Sequence, residues 1–374
     1  MIPILLLGAI YTYLTVSLFW IFLGSHPILF ALGSGSLLIL FLGQIWLFFV
    51  FFRSGPEEHL RFERPLQKFA FAGMGVISFL FTFTALRDLG GLLLSWAGVP
   101  RGALVSPAGV TLILLLTLVC LIWGFLNARF RITTPSIKIE IPELPPELEG
   151  LRIVQLSDLH LGTGPDLPEI RRIIDRTLGL SPDLIVLTGD IIDGATASLG
   201  RELKELSRLN APHGVYFVIG NHECYWNLEQ SVSAIRGIGI RVLLNEGISV
   251  EISGKKIFLG GVTDPAAPHF QGEPPVIPLP DPTASLRILL AHQPKIAKEA
   301  ALLPYHLQLS GHTHGGQFFP WTWVIHGVHL HSGGLDRLRG LQIYVSHGTG
   351  YWGPPLRLGT DGEITQLEMV RMSS

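Results

Sequence analysis

Cysteine is nearly absent: Cys120 and Cys224 are the only two in 374 residues. One sits in an apolar run and the other in a polar motif, so no disulfide framework is indicated. That usage fits a reducing compartment. Charge is also scarce. Asp, Glu, Lys and Arg make up 15% of the chain, against about a quarter in ordinary soluble proteins. Neither sign is in excess, with 27 basic and 29 acidic residues and a formal net charge of −2. The strongly basic face of a nucleic-acid binder is therefore missing, and no nucleic-acid partner is expected. Apolar sequence is what abounds, at 48% of residues, and it is concentrated in the first third.

A bilayer core about 30 Å thick needs roughly 20 apolar residues in a helix. Four stretches qualify: Ile2 to Leu23, Ile28 to Phe52, Phe69 to Ala85, and Leu104 to Leu126. A cleaved signal peptide is the alternative for the first. The opening Met1-Ile2-Pro3 has no Lys or Arg and a second span follows at once, so a retained span is expected. Arg87 and Asp88 interrupt the third stretch. They read as its end, with Leu89 to Gly98 at the interface, rather than as an intramembrane polar pair. Trp20, Trp46, Trp96 and Trp123 fall near span ends, as interfacial aromatics do.

Loop charges set an expected orientation. Arg53, Arg61, Arg64 and Lys68 lie between spans two and three, and Arg129, Arg131 and Lys138 follow span four. Arg101 is nearly alone in the loop before span four. The positive-inside rule then places the N-terminus and everything after span four in the cytoplasm. The expected organisation is a multi-pass integral membrane region over 1–127, a linker with a first strand over 128–150, and a soluble domain over 151–374.

Past Asn127 the pattern changes. Ile137 to Ile141 alternates like a strand, and the Pro/Glu-rich stretch Pro142 to Glu149 reads as a connector. Strands are expected over Leu151 to Leu156, Asp183 to Leu187, Val215 to Ile219, Ile257 to Gly261, Leu286 to Ala291, Leu307 to Leu309 and Gln342 to Val345. Helical spacing appears over Glu169 to Leu178, Arg201 to Leu209 and Leu228 to Ile238. Strand and helix alternate first and strands dominate later, which argues an α/β sandwich with mixed sheets.

Each polar cluster sits just past an apolar strand, where open α/β sheets bind ligands. The clusters are Asp158 with His160, Gly189-Asp190, Gly220-Asn221-His222-Glu223, Ala291-His292, and Gly311-His312-Thr313-His314-Gly315-Gly316-Gln317. Asp158 and His160 lie two apart, as do His312 and His314, and an extended backbone would point both members of a pair to one side. Gly189 permits a tight turn before Asp190. Asn221 offers a neutral carbonyl oxygen. The donors are nitrogen and oxygen without thiolate, which suits Mn, Fe, Zn or Ni and not a structural zinc site. Singly each signal is weak. Five such clusters at successive strand ends are hard to explain as packing, because unpartnered buried polar groups are costly.

This ordered set resembles the calcineurin-like metallophosphoesterase superfamily over roughly Leu151 to Met369. It is most similar to a membrane-anchored, bacterial-type subgroup with Ser157-Asp158-Leu159-His160, the Gly-His-Thr-His-Gly-Gly-Gln run, and a late Gly348-Thr349-Gly350-Tyr351-Trp352-Gly353-Pro354-Pro355. The resemblance implies an αββα sandwich and two divalent metal ions. It implies one ion on Asp158, His160, Asp190 and His314, and a second on Asp190, Asn221, His292 and His312, with Asp190 bridging. It implies that His222 contacts the phosphate and assists the leaving group, with Asn221 a second catalytic contact. His347 stands where the subgroup carries arginine more often.

The expected activity is hydrolysis of a phosphodiester or pyrophosphate, on a lipid-linked substrate such as a nucleotide-activated acylated sugar or a phospholipid. The bilayer itself is the expected partner. The lipid choice follows from location and analogy. The alternatives are a phosphomonoesterase on a soluble substrate and a non-catalytic membrane sensor. The aromatic run Phe318 to Ile325 reads either as an apolar wall that admits a lipid tail or touches the bilayer, or as a strand edge packed against the sandwich. Asp264 to Pro282 reads as a connecting loop near the site.

Overall fold

The computed structural model describes residues 2–52, 63–98, 100 and 104–372. They form two compact units, one of Met1–Leu126 with Gly353–Leu356, the other of Asn127–Trp352 with Arg357–Ser374.

The first unit is helical. Helix α1 spans Ile2–Leu14 and continues through a π-turn at Thr15–Phe19 and a 3-10 turn at Trp20–Phe22. Helices α2, α3 and α4 span Pro27–Phe52, Glu63–Trp96 and Pro107–Phe130. Proline opens α2 and α4, where its missing N–H costs nothing. All four are long and apolar enough to cross a membrane. Leu14, Leu18, Leu37, Phe41, Ile77, Leu80, Val110 and Ile113 pack between them. Large side chains such as Ile28, Leu32, Leu112 and Trp123 face outward, as lipid-facing residues must.

Arg87 and Asp88 do not end the third span. Helix α3 runs through them to Trp96 without a break. Most of the pair's polar atoms find partners within the bundle, although Arg87 Nη1 is buried without one. Asp88 Oδ2 accepts from Tyr13 Oη at 2.8 Å and Ser17 Oγ at 3.1 Å. Arg87 donates Nε to Asp88 Oδ1 at 2.7 Å and Nη2 to the Ser17 carbonyl at 2.9 Å. The partners come from the π-turn region, where a widened turn frees a carbonyl. Of the loop cations read above, Arg53, Arg61 and Arg101 lie outside the described residues.

The second unit is an αββα sandwich. Its elements in order are β1 Ile132–Thr133, β2 Ser136–Ile141, β3 Arg152–Leu156, α5 Leu167–Gly179, β4 Leu184–Thr188, α6 Gly200–Leu206, β5 Val215–Val218, α7 Asn221–Gly237 and β6 Arg241–Val242. There follow β7 Glu246–Ile252, β8 Lys255–Gly261, β9 Leu286–Leu290, α8 Ala297–Ala300, β10 Leu307–Ser310, α9 Trp321–Val328, β11 Gly334–Leu338, β12 Leu341–Val345, β13 Gly362–Glu363 and β14 Thr365–Arg371. One six-stranded sheet has the order β2-β14-β3-β4-β5-β6 and the other β11-β12-β10-β9-β8-β7.

Both sheets are mixed: β3, β4 and β5 pair in parallel while β14 runs antiparallel to β3. Strands β8, β9 and β10 are parallel as well. Fully buried runs such as Leu184–Thr188 are what a parallel strand covered on both faces requires. Ile153, Leu184, Val186 and Val218 meet Ile257, Leu259, Ile288 and Leu309 between the sheets. On the outer face of the first sheet, Ile170, Ile173 and Ile174 of α5 and Val232 and Ile235 of α7 cover Val154, Ile185 and Phe217. Ile296, Ala297 and Ala300 cover the second.

Candidate metal centre

The parallel strands deliver their C-terminal ends to one edge of the sandwich. Asp158 and His160 follow β3, Asp190 follows β4, Asn221 and His222 open α7 after β5, His292 follows β9, and His312 and His314 follow β10. The extended geometry read for the two-residue spacings is not what the chain adopts. Asp158, His160, Asp190, His312 and His314 all have left-handed backbone, with φ of 55, 50, 52, 74 and 51°. Such conformations cost about 1–3 kcal/mol each for residues other than glycine and gather at functional sites. A left-handed residue at the strand end turns the chain back, so a short loop can aim two side chains at one point.

The structure brings the expected ligands into two groups. In the first, His160 Nε2 lies 3.2 Å from His314 Nε2, and that nitrogen lies 3.5 Å from Asp158 Oδ1. In the second, His292 Nε2 lies 3.1 Å from Asp190 Oδ2, 3.2 Å from Asn221 Oδ1 and 3.2 Å from His312 Nδ1. Asp158, His160 and His314 are buried together, as are Asp190 and His292, and each group converges closely enough to hold an ion.

The hydrogen bonds behind the rings assign their tautomers. His292 Nδ1–H donates to the Thr188 carbonyl at 2.8 Å. His160 Nδ1–H donates to Asp193 Oδ2 at 3.1 Å. Both rings therefore turn an Nε2 lone pair inward, against other acceptors. Acceptors at about 3 Å repel unless a proton or a cation lies between them, and a divalent cation removes the repulsion. The donor set fits such ions: carboxylate, amide and imidazole.

Electrostatics point the same way. Burial, with His292 beside it, pushes the His312 imidazole down to about 3. Burial, with His160 and Arg357 nearby, pushes His314 well below its usual range. Both rings stay neutral, the form that binds a metal. At His292 burial opposes charge, but the Asp190 carboxylate outweighs it and raises the imidazole. That proton occupies the place a cation would take.

His222 is not among the expected ligands, but its ring centre lies 4.6 Å from that of His160, and with His160 and Asp193 it forms a third group that could hold an ion. Its Nδ1 lies 2.9 Å from Asp193 Oδ1, and its Nε2 lies 4.0 Å from Asp190 Oδ2. Its backbone N–H donates to Asp190 Oδ1 at 2.8 Å. Burial disfavours its charge, yet Asp193 and Asp190 raise it to about 9. The ring also packs against Tyr225 at 5.1 Å and Trp352 at 5.6 Å. Phe270, from the loop over Asp264 to Pro282, extends this wall through Tyr225 at 5.3 Å.

Three residues that shape the site escaped the sequence reading. Asp193 is fully buried and accepts from His160, His222, Trp226 Nε1 and Thr163 Oγ1. Its signal was available in the Gly189-Asp190-Ile191-Ile192-Asp193 spacing. Glu223 was noted only as part of its motif. Its carboxylate accepts backbone N–H groups of Gly220, Asp190, Ile191 and Ile192 at 2.7 to 3.0 Å, tying the end of β4 to the start of α7. Burial and the Asp190 charge push its carboxyl up to about 7, while the backbone donors pull the other way.

Arg357 is the third. It is fully buried and donates to the carbonyls of His347, Gly348 and Gly350. Burial lowers it to about 10. It acts on backbone atoms, so no motif betrays it. His347, which stands in place of an expected arginine, has its imidazole lowered by burial and lies 3.7 Å from Glu363. The buried cation of this loop is Arg357.

Residues 151–316 match the calcineurin-like phosphoesterase family. The chain is 32% identical over 336 residues to a zebrafish (Danio rerio) protein named transmembrane protein with metallophosphoesterase domain, covering 85% of this chain and 76% of that one. The chain belongs to the calcineurin-like phosphoesterase family. It is also 36% identical over 232 residues to an uncharacterized metallophosphoesterase of Aquifex aeolicus, covering 59% of this chain and 85% of the other. A Campylobacter jejuni metallophosphoesterase, likewise uncharacterized, is 32% identical over 259 residues, covering 67% of each chain. The phosphoesterase is thus a metal-dependent hydrolase of phosphoric esters. Its four apolar helices accord with the transmembrane naming of its zebrafish relative.

Proposed function

We propose that this phosphoesterase is a membrane-anchored hydrolase with two divalent ions, cleaving a phosphodiester or pyrophosphate bond of a lipid-linked substrate. One ion would be held by Asp158, His160, Asp190 and His314, the other by Asp190, Asn221, His292 and His312. The observation that carries the reading is the inward convergence of acceptors in two buried groups beside His222, a ring that is hydrogen-bonded to Asp193 and not to either group. Bound there, the ions would supply Lewis acidity towards the phosphoryl oxygens and favour ionisation of water.

The chain's own residues do the rest. Asp193 fixes the His222 ring through Nδ1 and favours its protonated form. Nε2 is then free to give its proton to the departing oxygen, as a general acid does. The same imidazolium, with the Asn221 amide, meets charge developing on the phosphoryl group. Thr188 and Asp193 hold His292 and His160 in the tautomers that leave Nε2 a ligand. Four spans give a reason for a lipid-bearing substrate, such as a phospholipid or a nucleotide-activated acylated sugar. The basic segments around Lys68 and Arg129 support a cytoplasmic side for the hydrolase unit, by the positive-inside rule.

The test uses the full chain in detergent with added Mn²⁺. Bis(p-nitrophenyl) phosphate should be hydrolysed, and EDTA should abolish turnover. His222→Ala should keep its metal content and lose about 10²- to 10⁴-fold in kcat. A chain that binds metal but hydrolyses no phosphodiester, pyrophosphate or monoester would overturn the proposal in favour of a sensor.

A further inference from the structure

Helix α9 leaves no residue buried. Its apolar side chains face outward: Trp321 is 48% exposed, Trp323 75%, Val324 47% and Val328 69%, with Leu330 just beyond at 70%. Trp321, Val324 and Val328 stand at positions i, i+3 and i+7, so they form one stripe. Within the run Phe318 to Ile325, Phe318 is buried and bridges Leu358 and Gly359, whereas the chain from Trp321 onward is helix and not an edge strand. Phe319 buttresses Trp323, with ring centres 5.0 Å apart, which holds the tryptophan in place without covering it. Contiguous apolar patches exposed in this way mark interaction sites.

The sequence and the connectivity say what covers it. From Gln317 to Gly334 there is no Asp, Glu, Lys or Arg, and three histidines are the only titratable groups. Two tryptophans beside branched aliphatic residues, without acidic side chains, match the chemistry of a membrane interface. Only Arg131 separates α4 from β1. The tether from the last candidate span is thus one residue long.

The far end of this helix reaches the metal centre. His329 follows Val328 directly, and its ring lies edge-on to the His312 ring at 5.9 Å.

We propose that α9 is a lipid-inserting element that seats its Trp321–Val324–Val328 stripe and Trp323 in the bilayer interface, presenting a lipid's phosphate to the site at the His312–His329 edge. The substrate class is then a phosphoric ester whose acyl chains stay in the membrane. The substrate part of this inference rests on the hydrolase reading above; the membrane contact does not.

The experiment uses the full chain in proteoliposomes of phosphatidylcholine and phosphatidylglycerol. A spin label is placed at Trp323→Cys in a Cys120→Ser background, since Cys224 is buried. The label should be accessible to oxygen and shielded from an aqueous nickel chelate. Free access of the chelate would overturn the proposal. Dipolar broadening between labels on two chains would also overturn it, because a second copy would then cover the helix. In parallel, Trp321→Ser/Trp323→Ser should lower the ratio of phospholipid to bis(p-nitrophenyl) phosphate turnover at least about tenfold, as the loss of two buried indoles allows. An unchanged ratio would overturn delivery of a lipid substrate along α9. Should the parent hydrolyse neither substrate, the hydrolase reading falls, and the label depth alone decides the membrane contact.

Discussion

Replacing Asp193 by asparagine tests the site through a residue that is not among the proposed ligands. Its carboxylate sits between two rings, with Oδ2 at 3.1 Å from His160 Nδ1 and Oδ1 at 2.9 Å from His222 Nδ1. Trp226 Nε1 adds a third donor at 2.6 Å and Thr163 Oγ1 a fourth. In Asp193→Asn one oxygen becomes an amide nitrogen, a donor facing donors. If it replaces Oδ2, the His160 ring must carry its proton on Nε2, where the lone pair is needed. Outer partners of this kind are worth about 10- to 100-fold in metal affinity. If it replaces Oδ1, His222 loses its charged partner. A hydrogen bond to a charged group is worth about 1.5–3 kcal/mol, or roughly 10- to 150-fold in turnover.

The sign of the pH effect follows from the same contact. His222 is raised to about 9 by Asp193 and Asp190 against the pull of burial. Removing the Asp193 charge lowers it, so the proton donor is lost at lower pH and the alkaline limb of the rate profile moves towards acid. The assay is hydrolysis of bis(p-nitrophenyl) phosphate by the full chain, titrated with Mn²⁺ and repeated across pH, with circular dichroism to confirm the fold. A variant with parental metal affinity, parental kcat at saturating metal and an unmoved alkaline limb would refute the role given to Asp193.

Two further changes probe the frame of the site and of the bundle. A methyl group at Gly220 would meet Asp190 Oδ1 at 2.2 Å and its backbone nitrogen at 2.6 Å. Gly220→Ala should therefore displace the carboxylate and cost about 100-fold in kcat/KM, as misplacement by about 1 Å does, with the melting temperature of the metal-free protein little changed; parental kcat/KM would show the contact to be soft. In the membrane unit, Asp88→Ala removes the acceptor for Tyr13, Ser17 and Arg87. It should destabilise the detergent-solubilised protein by about 1–2 kcal/mol, read as a lower midpoint of thermal aggregation, while Asp88→Asn should retain part of the loss.

The sequence was most legible where periodicity and chemistry coincide. The buried run Leu184–Thr188 and the strand Val215–Val218 sit within a residue or so of their expected positions, because continuous apolar stretches closed by glycine have few other uses. Strand β7 was missed for the converse reason. Its side chains alternate between exposed and half-buried, with only Ile252 buried, so packing of one face and not its own composition makes it a strand. The Gly220-Asn221-His222-Glu223 cluster was expected as a loop before a helix beginning near Leu228. It is the first turn of α7, which departs from helical geometry at Asn227. A glycine N-cap with glutamate three residues on, whose side chain accepts the Gly220 N–H, is half of a capping box and a helix-start signal in the sequence.

Arg87 and Asp88 looked like a helix end because charge in a span is costly. Their partners Tyr13 and Ser17 lie over 70 positions away, where no local pattern can show them. The site shows the same division. The residue types proposed as ligands stood out because metal chemistry restricts the choice of donors. The site's backbone was not readable, since an i, i+2 pair looks the same in an extended strand and in two left-handed turns. That difference has a consequence. Five ligand positions in strained conformations are held by hydrogen bonds such as those of Glu223, so the site is built from the loop backbone inward, and substitutions in its hydrogen-bonded frame should be felt at the metals as strongly as substitutions among the ligands themselves.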